Sequence, residues 1–219
     1  MPNRTINRNP DCHRLFDKIH KWLKDCDQYH PPCQPQLWEL PATQPTMLVD
    51  VSPPDVDTGI IRLCRPWDSS VQYTALSYCW GAAQPNSTTR SNVQKYLKGI
   101  LLSTLPQAVQ NAVEVTRKLN LRYLWVDSLC IIQDSEEAKA SEIGRMHSIY
   151  SNAYVTIIAS SAENCRQSFL GLRQIVSPSV HVPFRGKHGE KGKIHLRAVP
   201  DPIFPPPRQQ SEPLDSRAW

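Results

Sequence analysis

The chain has 219 residues, a net charge of +5, and 40% hydrophobic and 21% charged residues, a soluble mix large enough for one core and a small appended unit. Its 20 prolines outnumber its 8 glycines, the reverse of average usage. Neither G-x-G-x-x-G nor G-x-x-x-x-G-K-[ST] occurs, so a Rossmann fingerprint and a P-loop are excluded.

From the N-terminus, Leu15, Ile19, Trp22 and Cys26 recur at helical spacing, with Phe16 and Leu23 widening the stripe and Asp11 placed to cap it. Pro31 and Pro32 should end this helix near His30. Two short strands are expected at Met47–Val51 and Ile60–Cys64, paired across a turn holding Pro53, Pro54 and Gly59. From residue 86 to 177 the only proline is Pro106, so regular structure should concentrate there. YTALSYCW (73–80) reads as a buried strand stopped by Gly81, followed by a polar loop over 82–92. Thr104-Leu105-Pro106-Gln107 fits a capping box before a stripe of Leu105, Val109, Ala112, Val113, Thr116 and Leu119. RYLWV (122–126) reads as a second buried strand. A helix capped by Asp134 or Ser135 then presents Ile143, Met146, Ile149 and Tyr150, and AYVTIIAS (153–160) is a third strand. This strand–helix alternation predicts a parallel α/β sheet. Val180–Phe184 and Lys193–Val199 read as antiparallel strands, and the proline-rich Pro200–Pro207 as neither helix nor strand.

The charge is local. Arg185, Lys187, Lys191, Lys193 and Arg197 face only Glu190, and the stretch reads as a solvated basic hairpin rather than a nucleic-acid or anionic-lipid patch. No base-reading motif accompanies it, so no nucleic-acid partner is expected. Met1–Arg14 lacks the apolar run of a signal peptide, and the apolar run Leu119–Ile132 is broken by Asn120, Arg122 and Asp127, so no transmembrane segment is expected. Seven cysteines without framework spacing read as reduced thiols in the cytoplasm.

Sites in open parallel sheets lie beyond the carboxyl ends of the strands. Those ends place Ser77, Trp80, Asp127, Ser128, Cys130 and Gln133 together as a binding set. Asp127 there is either a cap for the neighbouring loop or a ligand-orienting acid. Cys130 with His147 would make a cysteine hydrolase if the fold joined them, although apolar neighbours argue for a buried thiol. Glu142 taken by itself reads as a solvated helix carboxylate. Cys26, His30 and Cys33, spaced C-x3-H-x2-C, are candidate zinc ligands lacking a defined fourth, against a helix end with buried cysteines.

The strings YTALSYCWG (73–81), LPQAVQNAVEVTRKLNLRYLWVDSLCIIQD (105–134) and EIGRMHSIYSNAYVTIIAS (142–160) closely resemble the fungal heterokaryon incompatibility (HET) domain. WLKDCDQYHPPC (22–33) resembles a segment that often precedes that domain, and PLDSRAW (213–219) the start of its closing motif, so a truncated motif is expected. The resemblance implies a cytosolic fungal domain of non-self recognition and programmed cell death, acting by self-association or partner binding. It implies a flavodoxin-like, distantly TIR-like sheet, with a helical lead-in over 1–45, a HET domain over 46–219 with its core at 73–175, and β-rich C-terminal additions. Because some TIR domains cleave NAD with a helix glutamate, it also implies an alternative in which Glu142 is catalytic, Asp127 and Ser77–Trp80 line the pocket, and NAD is the substrate. The chain departs from the family at residue 139, where lysine stands in place of the tryptophan of W-x-x-E.

Overall fold

A computed structural model of the chain describes residues 8–30, 44–66, 71–81, 86–172, 180–186 and 189–196. These fall in two compact units, one holding His13–Phe169 and the other the C-terminal hairpin. The larger unit is a mixed α/β domain. Helix α1 (His13–Tyr29) precedes β1 (Leu48–Asp50), β2 (Ile60–Cys64) and β3 (Tyr73–Ser77). Helix α2 (Val93–Lys98), β4 (Ile100–Leu101), a 3-10 turn (Leu102–Thr104), α3 (Gln107–Lys118) and β5 (Tyr123–Trp125) follow. The short helices α4 (Asp127–Cys130), α5 (Glu136–Gly144) and α6 (Met146–Ser151) lead to β6 (Val155–Ile158).

The six strands form one sheet in the order β4-β2-β1-β5-β3-β6. The strand–helix repeat places β3, β5 and β6 parallel, with β3 in the centre. The expected pairing of β1 with β2 is present and antiparallel; what the alternation did not predict is that this pair joins the parallel strands in one mixed sheet, β1 adding antiparallel to β5 and β4 to β2. The turn region between β1 and β2 is short enough to return the chain antiparallel, as its prolines and glycine imply.

Every residue of β3 and β5 is buried, because helices cover both faces. Alternation sends Thr74 to one face, where its hydroxyl shares a 2.7 Å hydrogen bond with Thr116 of α3. Tyr73 on the other face donates to the Ile149 carbonyl of α6 at 2.6 Å. Trp125 meets Tyr150 edge to face on that same side, centroids 5.4 Å apart. All the predicted stripe residues of α3 and its flanks are buried: Leu105, Val109, Ala112, Val113, Thr116 and Leu119.

Three local expectations are corrected. Trp22 of α1 is 60% exposed, and Phe16 is the buried anchor instead, with Lys118 5.2 Å over its ring. The capping box before α3 does not form. The Thr104 hydroxyl donates to the Leu101 carbonyl in its own 3-10 turn, and the free Ala108 N–H at the helix start donates to Cys165 O at 2.9 Å. The helix expected after Ser135 breaks at Arg145, which separates α5 from α6 with backbone angles of −106° and 2°. Within α5, Ile143 is exposed and Glu142 is buried. Ser135 does cap α5, accepting from Ala138 N–H at 3.3 Å.

Asp50 ends β1 almost wholly buried. Arg122, beside the partner strand β5, grips it with two donors at 3.1 and 2.8 Å, and Ser52 N–H donates at 3.1 Å. The bond to Asp50 raises the Arg122 pKa above its ordinary value. Removing one partner of such a pair strands a buried charge. Arg122→Leu should therefore cost about 2 kcal/mol in urea unfolding, and more than Arg62→Leu, whose guanidinium lies 3.8 Å from the same carboxylate.

Candidate functional site

Three segments meet beyond the carboxyl ends of the parallel strands: 78–81 after β3, 126–133 after β5 and 159–165 after β6. Trp80 Nε1 donates to Asp127 Oδ2 at 2.9 Å. The other carboxylate oxygen accepts the Ser128 N–H at 2.6 Å. The Tyr78 hydroxyl donates to Ser128 Oγ at 2.9 Å, and burial, with Asp127's charge second, pushes that phenol far above its usual range. Buried Thr88 straps the outside of α4, its hydroxyl donating to Leu129 O at 2.6 Å and its N–H to Ser128 O at 2.9 Å. Gln133 closes the loop through Nε2 to the carbonyls of Asp127 and Ile131, at 3.0 and 3.2 Å. Trp80, Asp127, Ser128 and Gln133 thus form one connected network. Ser77 lies just inside it on β3, its carbonyl accepting from Ala159 N–H at 2.9 Å. In this geometry the Asp127 carboxylate caps the loop after β5 and ties it to Trp80.

Gly81 follows Trp80 with φ of +79°, a conformation that costs an L-residue roughly 1–2 kcal/mol. A Cβ there would also stand 2.7 Å from Asn164 Cβ. Glycine is therefore required where the loop after β3 passes that after β6.

Cys130 points into the core at 1% exposure. Its Sγ accepts from Val126 N–H at 3.4 Å and lies 4.0 Å from Leu124 O. Burial pushes the thiol well above its ordinary pKa, whereas a nucleophile needs the thiolate and access. His147, its suggested base, is exposed on α6. Burial also raises the half-buried Cys64 thiol, to about 11.

Glu142 lies on α5 at 2% exposure and is not the solvated carboxylate that isolated spacing implies. Its Oε1 accepts from the Arg145 guanidinium, from the Thr46 hydroxyl and, at 3.3 Å, from Thr46 N–H. Arg145 also donates to Thr46 Oγ1 at 2.6 Å and to Gln44 O at 3.3 Å. Its Oε2 is buried without a hydrogen-bond partner among the described residues, and so is Trp125 Nε1. Burial and, after it, the charge of Glu142 raise the Tyr73 pKa above the usual phenol range. Lys139 pairs with Glu136 at 2.8 Å. Thr46, Arg145 and Thr88 carry no sequence signal as site residues, since each works through a partner distant in the chain or brought near by a helix break; Tyr78 falls within the expected Ser77–Trp80 stretch, but its bond to Ser128 is seen only in the fold.

Cys26 is half-buried near the end of α1 and His30 is exposed just after it. Cys33, their suggested zinc partner, lies outside the described residues. Among those residues no three His, Cys, Asp or Glu side chains converge as a metal site, and no helix is long and apolar enough to cross a membrane. PLDSRAW and the proline-rich stretch Pro200–Pro207 also lie outside them.

These features define an α/β domain whose strand ends carry a closed polar network. Residues 73–219 match the family described as heterokaryon incompatibility protein (HET), and the chain belongs to that family. It is similar to heterokaryon incompatibility protein 6, OR allele, of Neurospora crassa, at 26% identity over 121 residues, which is 51% of this chain and 18% of the relative. The chain thus spans less than a fifth of that relative's length. No solved structure matches.

Two outcomes test the site. Gly81→Ala should destabilise the domain by about 2 kcal/mol or more, from the left-handed backbone and the collision with Asn164. Alkylation of the native protein by iodoacetamide, mapped by mass spectrometry, should leave Cys130 unmodified while Cys12 and Cys26 react.

Proposed function

We propose that the chain is a HET-domain signalling module of fungal heterokaryon incompatibility, working in the cytoplasm in non-self recognition and cell death through self-association or partner binding. The observation that carries this reading is the closure of Glu142. A carboxylate at 2% exposure, held by Arg145 and Thr46, is arranged to clamp residues 44–46 to α5. It is not presented to a substrate. Family membership and the similarity to an incompatibility protein support the biological role. The order β5-β3-β6 supports a flavodoxin-like, TIR-like core, because the first parallel strand in the chain sits between the second and the third, as in that architecture.

A second reading, NAD cleavage at Glu142, is favoured by one detail. Oε2 is left without a partner among the described residues, on the sheet face that holds Tyr73 and Trp125. In that reading Thr46 and Arg145 release the carboxylate before NAD binds, and Glu142 stabilises the positive charge that develops on the ribose as nicotinamide leaves. The Trp80–Asp127 network would line the pocket.

The purified chain should release no nicotinamide from NAD above a protein-free blank, even at concentrations where light scattering detects association. Sustained release that Glu142→Ala abolishes would establish the second reading and overturn the first. Glu142→Ala should also destabilise the fold by about 2–3 kcal/mol, since it leaves Arg145 without its buried partner.

A further inference from the structure

Composition alone reads the basic hairpin as solvated and not as a lipid patch; its strand register adds a second pattern. β7 (Val180–Arg185) and β8 (Lys191–Leu196) make a two-stranded sheet of their own. Its register pairs Val180 with Leu196, Val182 with Ile194 and Phe184 with Gly192. It also pairs His181 with His195, Pro183 with Lys193 and Arg185 with Lys191. Directly opposed residues share a face, and successive residues alternate between faces. Among the described side chains, Val180, Val182 and Phe184 therefore share one face, and Pro183, Arg185, Lys191 and Lys193 share the other. The Phe184 ring lies over Gly192, leaving no room there for a Cβ, so this pairing also locks the register.

The described apolar side chains are exposed. Val180 is 60%, Val182 39% and Phe184 47% exposed, and Arg185, Lys191 and Lys193 are exposed on the opposite face. A two-stranded ribbon is marginal in water unless its apolar face is covered. Whatever covers it must accept aliphatic side chains along a nearly flat ribbon and also favour cations within reach of the same strands. A nucleic acid offers phosphates but little to receive two valines. A membrane interface offers both, with acyl chains below and anionic headgroups at the level to which Lys and Arg stems extend. This is the arrangement of an interfacial amphipathic segment, carried here on β-structure in place of a helix.

We infer that the β7–β8 hairpin is an anionic-membrane docking element, laying Val180, Val182 and Phe184 into the interface while Arg185, Lys191 and Lys193 engage acidic headgroups. The inference is independent of how Glu142 is read.

Co-sedimentation of the full chain with vesicles tests it. In about 0.1 M salt the chain should bind vesicles containing about 30% phosphatidylserine in phosphatidylcholine, bind pure phosphatidylcholine far less, and lose binding as salt rises to about 0.5 M. Lys191→Gln with Lys193→Gln should cut partitioning about 25-fold, at about fivefold per lysine. These side chains are exposed, so the hairpin persists in this variant. Val180→Asp with Val182→Asp should abolish binding already at about 0.1 M salt. Equal binding to both vesicle types, binding to neither, or binding unchanged by the lysine substitutions overturns the proposal. So does tight binding to an RNA oligonucleotide with none to vesicles.

Discussion

Strands β3 and β5 are buried on both faces, and this constraint organises the larger unit. A strand covered on both sides needs a helical layer against each. α3 supplies one through Thr116, and α6 the other through Ile149 and Tyr150. Polar atoms inside that sandwich then have to be paired within the protein, because water does not reach them. Thr74 finds Thr116, Tyr73 finds a helix carbonyl, and Tyr78 finds Ser128. The polar network at the strand ends is therefore part of how the sheet is closed. Its connection to any ligand is a further question of access.

Glu142 and Asp127 illustrate two ways to hold a carboxylate close to such a core. Asp127 stands at the rim, part-buried, and its oxygens accept from the indole of Trp80 and from the backbone of Ser128. Glu142 is deeper and needs a countercharge, which Arg145 supplies from the helix break. From the break Arg145 reaches both Glu142 and the 44–46 segment. Burying this ion pair carries a cost in desolvation. Its return is a specific attachment of residues 44–46 to α5.

The second unit follows a different logic. Its hairpin has no core of its own to enter among the described residues, and its sorting into apolar and basic faces comes from strict alternation together with register. The same composition in a shifted register would mix the faces. Charge here is a property of one ribbon face and is diluted in the net +5 of the chain.

Most elements were legible in the sequence because their causes are local. Periodicity marked α1, α3 and the strands, prolines bounded them, and Ser135 announced the start of α5. The strand-end residues Trp80, Asp127, Ser128 and Gln133 were legible as a set, because a parallel sheet collects its carboxyl ends on one side. The 3-10 turn before α3 was not, since Thr104 chose a carbonyl in its own turn over the expected cap. Nor was the exposure of Trp22, because spacing defines a stripe and not which part of it meets the core. The sequence by itself determined the alternation of elements and the family, both of which depend on neighbours within a few residues. Only the tertiary structure decided the antiparallel extension of the sheet, the withdrawal of Cys130 from solvent, and the closure of Glu142 by Thr46. These join residues as much as 96 positions apart, and such contacts depend on how the packed layers meet.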